Sequence, residues 1–103
     1  MEDITLEQIE HTSGPMLLEF GAEWCSYCQA AQPLIKPALA NHPDVRHIKI
    51  EDGKGKRLGR QFGIKLWPSL IFLQDGKEIA RLVRPDNAAV VTQHLDELDR
   101  SGS

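Results

Sequence analysis

The only two cysteines of the chain, Cys25 and Cys28, stand three positions apart in "FGAEWCSYCQAAQP", residues 20 to 33. A pair at this spacing supports three chemistries: shared ligation of a metal, inert packing as two small apolar side chains, or cycling between dithiol and disulfide. The metal reading has a definite basis, because His42 and His47 complete the spacing C-x2-C-x13-H-x4-H, close to the ligand pattern of a small zinc finger. Such a finger sets its cysteines on a hairpin and both histidines on one helix. Here a helical pattern follows the cysteines directly, Pro43 separates the histidines and His47 falls in a strand-like run. The inert reading conflicts with placement, since an apolar strand runs out just before Cys25 and Cys25 opens a helix. A thiol there faces unpaired N–H groups and the positive end of the helix dipole, both of which favour thiolate over thiol. The thiolate is the species that attacks disulfides, and Cys28, one turn on, stands where it can attack the resulting mixed disulfide. Redox exchange therefore leads, with no cofactor and no metal implied.

The elements that must position this pair follow from local patterns. Thr5 followed by Gln8 reads as a capping box opening a short helix through His11, stopped by Ser13, Gly14 and Pro15. "MLLEFGA" is a compact apolar run and reads as a buried strand, with Glu19 the anomaly in it. From Cys25 to Ala40, Ala30, Ala31, Leu34, Ile35, Ala38 and Leu39 recur at helical spacing, while Pro33 and Pro37 predict a kinked or two-part helix. "VRHIKIE" alternates as a strand, and "GKGKRLGRQFG" holds a short polar helix between glycines. "SLIFLQDGKEIARLV" reads as two strands joined at Asp75-Gly76. Pro85-Asp86 then caps a helix whose apolar face is Ala88, Val91, Leu95 and Leu98, and "SGS" is a frayed end, with a disordered tail expected over 100–103. Strands separated by helices pair in parallel and a direct hairpin pairs antiparallel, so the fold class is α/β with a mixed sheet and helices on both faces.

At 103 residues the chain is one domain, 1–103, large enough to bury a core without a disulfide staple. Its 41% hydrophobic and 26% charged residues fit an ordinary globular protein. A formal charge of -3 and a pI near 5.7 argue against nucleic acid or an anionic membrane as partner. Lys54, Lys56 and Arg57 make one small basic cluster, read as a solvated face. The acidic N-terminus lacks a secretory layout, and the apolar runs fall far short of the ~20 residues that span a bilayer. The expected location is the cytosol, whose reducing conditions disfavour permanent disulfides.

"AEWCSYC", preceded by the strand "LLEF" and followed by Pro33, resembles the thioredoxin active-site segment W-C-x-x-C. "FGIKLWPSLIFLQDGKEIARLV" is similar to the thioredoxin stretch in which an apolar segment leads into a cis-proline, a strand, a tight turn and the last strand. The likeness runs over about residues 15 to 100 and implies a thioredoxin fold with four to five strands. It implies a monomeric thiol-disulfide oxidoreductase that reduces disulfide-containing proteins and is itself re-reduced by a thiol reductase or other reductant. Cys25 is then the exposed nucleophile, Cys28 the buried resolving thiol, and Cys25-Cys28 the redox disulfide.

Further roles follow from the same resemblance. Glu19 falls where the family places a buried aspartate, so its carboxyl should be raised by desolvation and relay the proton of Cys28. His47 aligns with a lysine that partners this carboxylate in many thioredoxins, and would make the relay pH-sensitive. Pro68 should carry a cis Trp67-Pro68 bond, leaving the Trp67 backbone free to pair with an extended substrate. Trp24 covers the rim, whereas His11, His42 and His94 fit surface positions without a role. Two departures bear on substrate choice: Trp67 is larger than the usual residue before the cis-proline, and Arg84 stands where the substrate-facing loop usually has glycine. Ser26-Tyr27 replaces the usual Gly-Pro. A second function class stays open, a binding module or folding helper on the same scaffold with secondary redox activity, supported by Trp67 and Arg84.

Overall fold

The computed structural model describes residues 4–102. The Thr5 hydroxyl accepts the Gln8 backbone N–H at 3.1 Å, and the Gln8 side chain accepts the Thr5 N–H at 2.9 Å. This reciprocal cap opens α1 (Leu6–Glu10). β1 (Pro15–Gly21) is buried at every position after Pro15, because it lies inside the sheet. It pairs in parallel with β2 (Arg46–Glu51) on one side and antiparallel with β3 (Ser69–Gln74) on the other. β4 (Lys77–Val83) pairs antiparallel with β3 and completes the order β2-β1-β3-β4. A strand covered on both faces reads as a continuous apolar run, which is why "MLLEF" does not alternate.

Two layers of core fill the two faces. Leu17, Leu70 and Phe72 pack with Ala31, Ile35 and Ala38 of α2 (Ser26–Ala40) and with Val91, Leu95 and Leu98 of α4 (Ala88–Ser101). Met16, Leu18, Phe20, Ile48 and Ile71 pack on the other face with Ile9 of α1 and with Leu58, which belongs to α3 (Arg57–Gln61). Side chains alternate along a strand, so Glu19 shares the face of Leu17 and points under α2. The β3–β4 turn takes Asp75 at φ 52° and Gly76 at φ 80°, consecutive left-handed residues suited to a two-residue hairpin.

The sheet has four strands among the described residues, within the four to five expected. Several local expectations are corrected. Pro33 and Pro37 lie inside one helix, not at a division between two; packing of Ala31, Ile35 and Ala38 holds α2 together where proline lacks an N–H. Asn87, not Pro85-Asp86, caps α4, its side-chain oxygen accepting the Val90 N–H at 2.9 Å, and Ala88 is exposed. Arg100 and Ser101 are helical where a tail is expected, while Ser103 and residues 1–3 lie outside the described residues. His42 is not a surface residue: it is 7% exposed, pairing through Nε2 with Asp96 at 3.1 Å and through Nδ1 with Asp99, which ties the end of α2 to α4. His94 is half-buried, its ring 5.2 Å from Phe72. His42, one donor of the zinc reading, is thus committed to α4, and no group of three or more His, Cys, Asp or Glu among the described residues could hold a metal.

Candidate active site

β1 ends at Gly21, and Cys25 enters α2 as its N-cap with extended backbone, φ -77° and ψ 117°. Its sulfur accepts the Cys28 backbone N–H at 3.2 Å, the task a Ser or Asp oxygen usually performs at this position. Both cysteines are free thiols, and Cys25 is not exposed as expected: both are buried in a small cluster with Ala22, which Trp67 covers. Burial pushes the Cys28 thiol up to about 11 from 9.0; the hydrogen bond with Cys25 and the nearby charges of Cys25 and Glu19 add to the rise, against a contact with the Ala22 backbone.

Beneath the cysteines Glu19, 5% exposed, accepts from two side chains. His47 Nε2 meets Oε1 at 2.7 Å, and Gln32 Nε2 donates to Oε2 at 2.7 Å. The Gln32 amide also donates to the Cys28 carbonyl at 3.0 Å, and its own oxygen accepts Lys49 Nζ at 2.8 Å. One amide therefore joins the carboxylate, the helix bearing Cys28 and a lysine. The sequence leads one to expect a raised carboxyl here, and the structure gives the opposite. Burial does push Glu19 up, but the bonds from His47 and Gln32 and the charges of His47 and Lys49 outweigh it and hold the carboxyl below 4.5. A cleft of about 270 Å³ borders Glu19, Gly21, Cys28, Gln32 and Lys49.

The rim is built from separate loops. The Trp67-Pro68 bond is cis. Trp67 is held by its indole N–H, which donates to Asp52 Oδ2 at 2.9 Å, and stands edge-on to Trp24 with ring centroids 5.4 Å apart. Trp24 is 76% exposed, so it is a surface side chain and not core filling. Arg84 reaches across from the end of β4: its N–H donates to the Pro68 carbonyl at 3.0 Å and its Nε to the Trp67 carbonyl at 2.8 Å. Its guanidinium lies 3.9 Å above the Tyr27 ring. The Trp67 carbonyl is therefore partly engaged, by the Arg84 Nε.

The structure brings Cys25, Cys28, Glu19 and His47 into one connected set and places Trp24, Trp67, Pro68 and Arg84 around it. Sequence reasoning misses Gln32, Lys49, Asp52 and Tyr27. Gln32 carries a signal, as it follows Cys28 by one helical turn and interrupts an otherwise apolar face. Lys49 sits opposite Glu19 in the strand register and not His47, which pairs with Leu17. Even so, the shorter histidine makes the direct contact and the lysine reaches the amide. Asp52 and Tyr27 leave no readable pattern, because both depend on where distant loops meet.

A dithiol at a helix start, over a buried carboxylate and beside a cis-proline, is arranged for thiol-disulfide exchange, and the protein is a thiol-disulfide oxidoreductase. The thioredoxin family profile matches residues 5–97, so the chain belongs to the thioredoxin family. Thioredoxin from Chlamydia muridarum is 38% identical over 71 residues, covering 69% of this chain and 70% of that protein. Thioredoxin H5 of Oryza sativa subsp. japonica is 28% identical over 98 residues, 95% of this chain and 72% of that protein. Among solved structures, reduced thioredoxin 2 from Pseudomonas aeruginosa PAO1 superposes with a TM-score of 0.87 at 46% identity, covering 98% of this chain and 94% of that one. Members of this family act on disulfide substrates and are recycled by reductants. No helix among the described residues is long and apolar enough to cross a membrane.

Proposed function

We propose that this thioredoxin-family protein reduces protein disulfides in the cytosol as a monomer, with Cys25 as nucleophile and Cys28 as resolving thiol. The observation that carries the assignment is the asymmetry between two buried thiols: the Cys25 sulfur caps the start of α2 and accepts an N–H, whereas the Cys28 thiol, one turn on, is pushed up to about 11. The Cys25 thiolate attacks one sulfur of the substrate disulfide, and the other substrate sulfur leaves and takes a proton. Cys28 then gives up its proton and attacks Cys25 Sγ, releasing the second substrate thiol. The protein is left with a Cys25-Cys28 disulfide, the substrate has gained two electrons, and a reductant restores the dithiol.

Glu19 is the base assigned to Cys28, and because its carboxyl is held low it is present in the accepting form at rest. His47, half-buried on the same carboxylate, and the adjoining cleft offer the proton a way to solvent. Trp24, Trp67, Pro68 and Arg84 form the substrate surface. The cytosolic assignment is supported by the need for a reducing supply, and an acidic chain of charge -3 does not favour nucleic acid or membrane partners. Dithiothreitol-driven reduction of insulin tests the proposal. Activity should vanish in Cys25→Ser, and Cys28→Ser should accumulate mixed disulfides; turnover no faster than with dithiothreitol alone would falsify it.

The exposed Trp24 and Tyr27 favour a second reading, a partner-binding module on this scaffold. Capture of the same partners by a protein with both cysteines changed to serine would support it over reduction.

A further inference from the structure

We propose that Arg84 makes this site selective for disulfides whose attacked cysteine is flanked by an Asp or Glu side chain, an inference that rests on the reductase reading above. Arg84 holds φ 50°, a left-handed conformation that glycine adopts without strain and that a residue with a Cβ resists. Strain of this kind persists where surrounding contacts enforce it, and it marks a side chain with a task.

Three contacts enforce it. The backbone N–H bonds the Pro68 carbonyl, Nε bonds the Trp67 carbonyl, and the guanidinium rests on the Tyr27 ring. Three anchors leave the planar head little freedom, so little ordering cost remains when a ligand arrives. The terminal amino groups are not used in this anchoring and make no hydrogen bond or ion pair among the described residues. Arg81, by contrast, is saturated by Glu78 at 2.7 and 2.8 Å. A guanidinium edge with two open N–H donors matches the two oxygens of a carboxylate.

Position then decides whose carboxylate it is. Trp67 packs on the two cysteines and Tyr27 lies between them in sequence, so Arg84, anchored on both, stands at the rim of the nucleophile's surface. Because Nε already occupies the Trp67 carbonyl, an incoming main chain finds that acceptor partly spent. A side-chain contact to Arg84 supplies grip in its place. Against a chain of net charge -3, this is a local cation and not part of a basic field.

The test uses three peptide disulfides identical except for the residue beside the attacked cysteine: Asp, Ser or Lys. For the unaltered protein, kcat/KM should fall in the order Asp, Ser, Lys, with the Asp-to-Lys ratio roughly tenfold, equivalent to about 1.4 kcal/mol, and narrowing as salt is raised. The ratio divides out any common loss of rate, so it stays readable in variants. It should approach one in Arg84→Gln and invert in Arg84→Glu. Reduction of all three peptides within twofold of each other, or an unchanged ratio in Arg84→Glu, overturns the inference while leaving the reductase reading standing. Failure to reduce any of them overturns both.

Discussion

The resting position of Cys28 at about 11 should not survive the first chemical step. Two of the influences raising it come from Cys25, its hydrogen bond and its charge, and both end once the Cys25 sulfur is bonded to substrate. Blocking Cys25 by alkylation reproduces that change in a stable form. The rise from 9.0 to about 11 leaves about one hundredth of the thiolate at neutral pH. The more basic sulfur is also about six- to tenfold more nucleophilic, so a rise that persisted into the mixed disulfide would slow resolution about 10- to 16-fold, and losing the Cys25 influences removes part of that cost. In the blocked protein Cys28 should therefore titrate below 11 but above 9.0, because burial and the Glu19 charge remain. Glu19→Gln in the same blocked protein should lower it further. Thiolate ultraviolet absorbance against pH, with cysteine-labelled NMR to assign the step, measures both. A Cys28 still at about 11 after alkylation, or one already below 9.0, refutes the account of what raises it.

The remaining predictions address the supporting residues. Gln32→Ala removes the amide shared by Glu19, the Cys28 carbonyl and Lys49, and should cost about 1–3 kcal/mol in urea denaturation. It should also let the Glu19 carboxyl rise, shifting the acid limb of the activity profile upward in pH. Glu19 is held low, so its contribution to stability is full above its unfolded pKa and lost as pH falls through the folded value. The difference in unfolding free energy between the unaltered protein and Glu19→Gln should thus shrink on acidification below about 4.5. A Cβ at Gly59 would stand 2.0 Å from Asp52 Oδ1. Gly59→Ala should push Asp52 off the Trp67 indole, cost about 1–3 kcal/mol, and raise KM for disulfide substrates with less effect on kcat. His42→Ala unties α2 from α4; because Asp96 and Asp99 are half exposed and stay solvated, the loss should be only about 1–2 kcal/mol in denaturation, with insulin reduction unchanged.

What the sequence makes legible is what local spacing encodes. The capping box at Thr5, the hairpin at Asp75-Gly76 and the helical spacing after Cys25 are each set within a few residues, and each appears where the pattern places it. Glu19 is legible as an anomaly, a charge inside an apolar run, but its ionisation is not. The direction depends on Gln32 arriving from α2 and His47 from β2, and burial alone would have sent it the other way. His42 shows the same limit. Nothing near it in sequence explains its burial, because its two carboxylate partners lie more than fifty residues downstream on α4.

The rim carries this further, since it is where long-range contact changes what a residue type means. Read from sequence, Arg84 in place of glycine signals only a departure in substrate choice, with no mechanism attached. In the fold the side chain is turned back and bonded to Trp67, and Trp67 is itself fixed by Asp52 and braced by Trp24. The bulk is therefore ordered, not loose, and an ordered rim discriminates by matching a ligand's groups instead of merely excluding large ones. Loosening one anchor should broaden substrate choice before it harms the cysteine chemistry, because the Glu19–Gln32–Cys28 chain shares no hydrogen bond with the Asp52–Trp67–Arg84 chain. Asp52→Ala tests that separation. It should narrow the spread of kcat/KM across the three peptides while leaving the Cys28 titration in place, and a shift of both together would show that rim and relay are one unit.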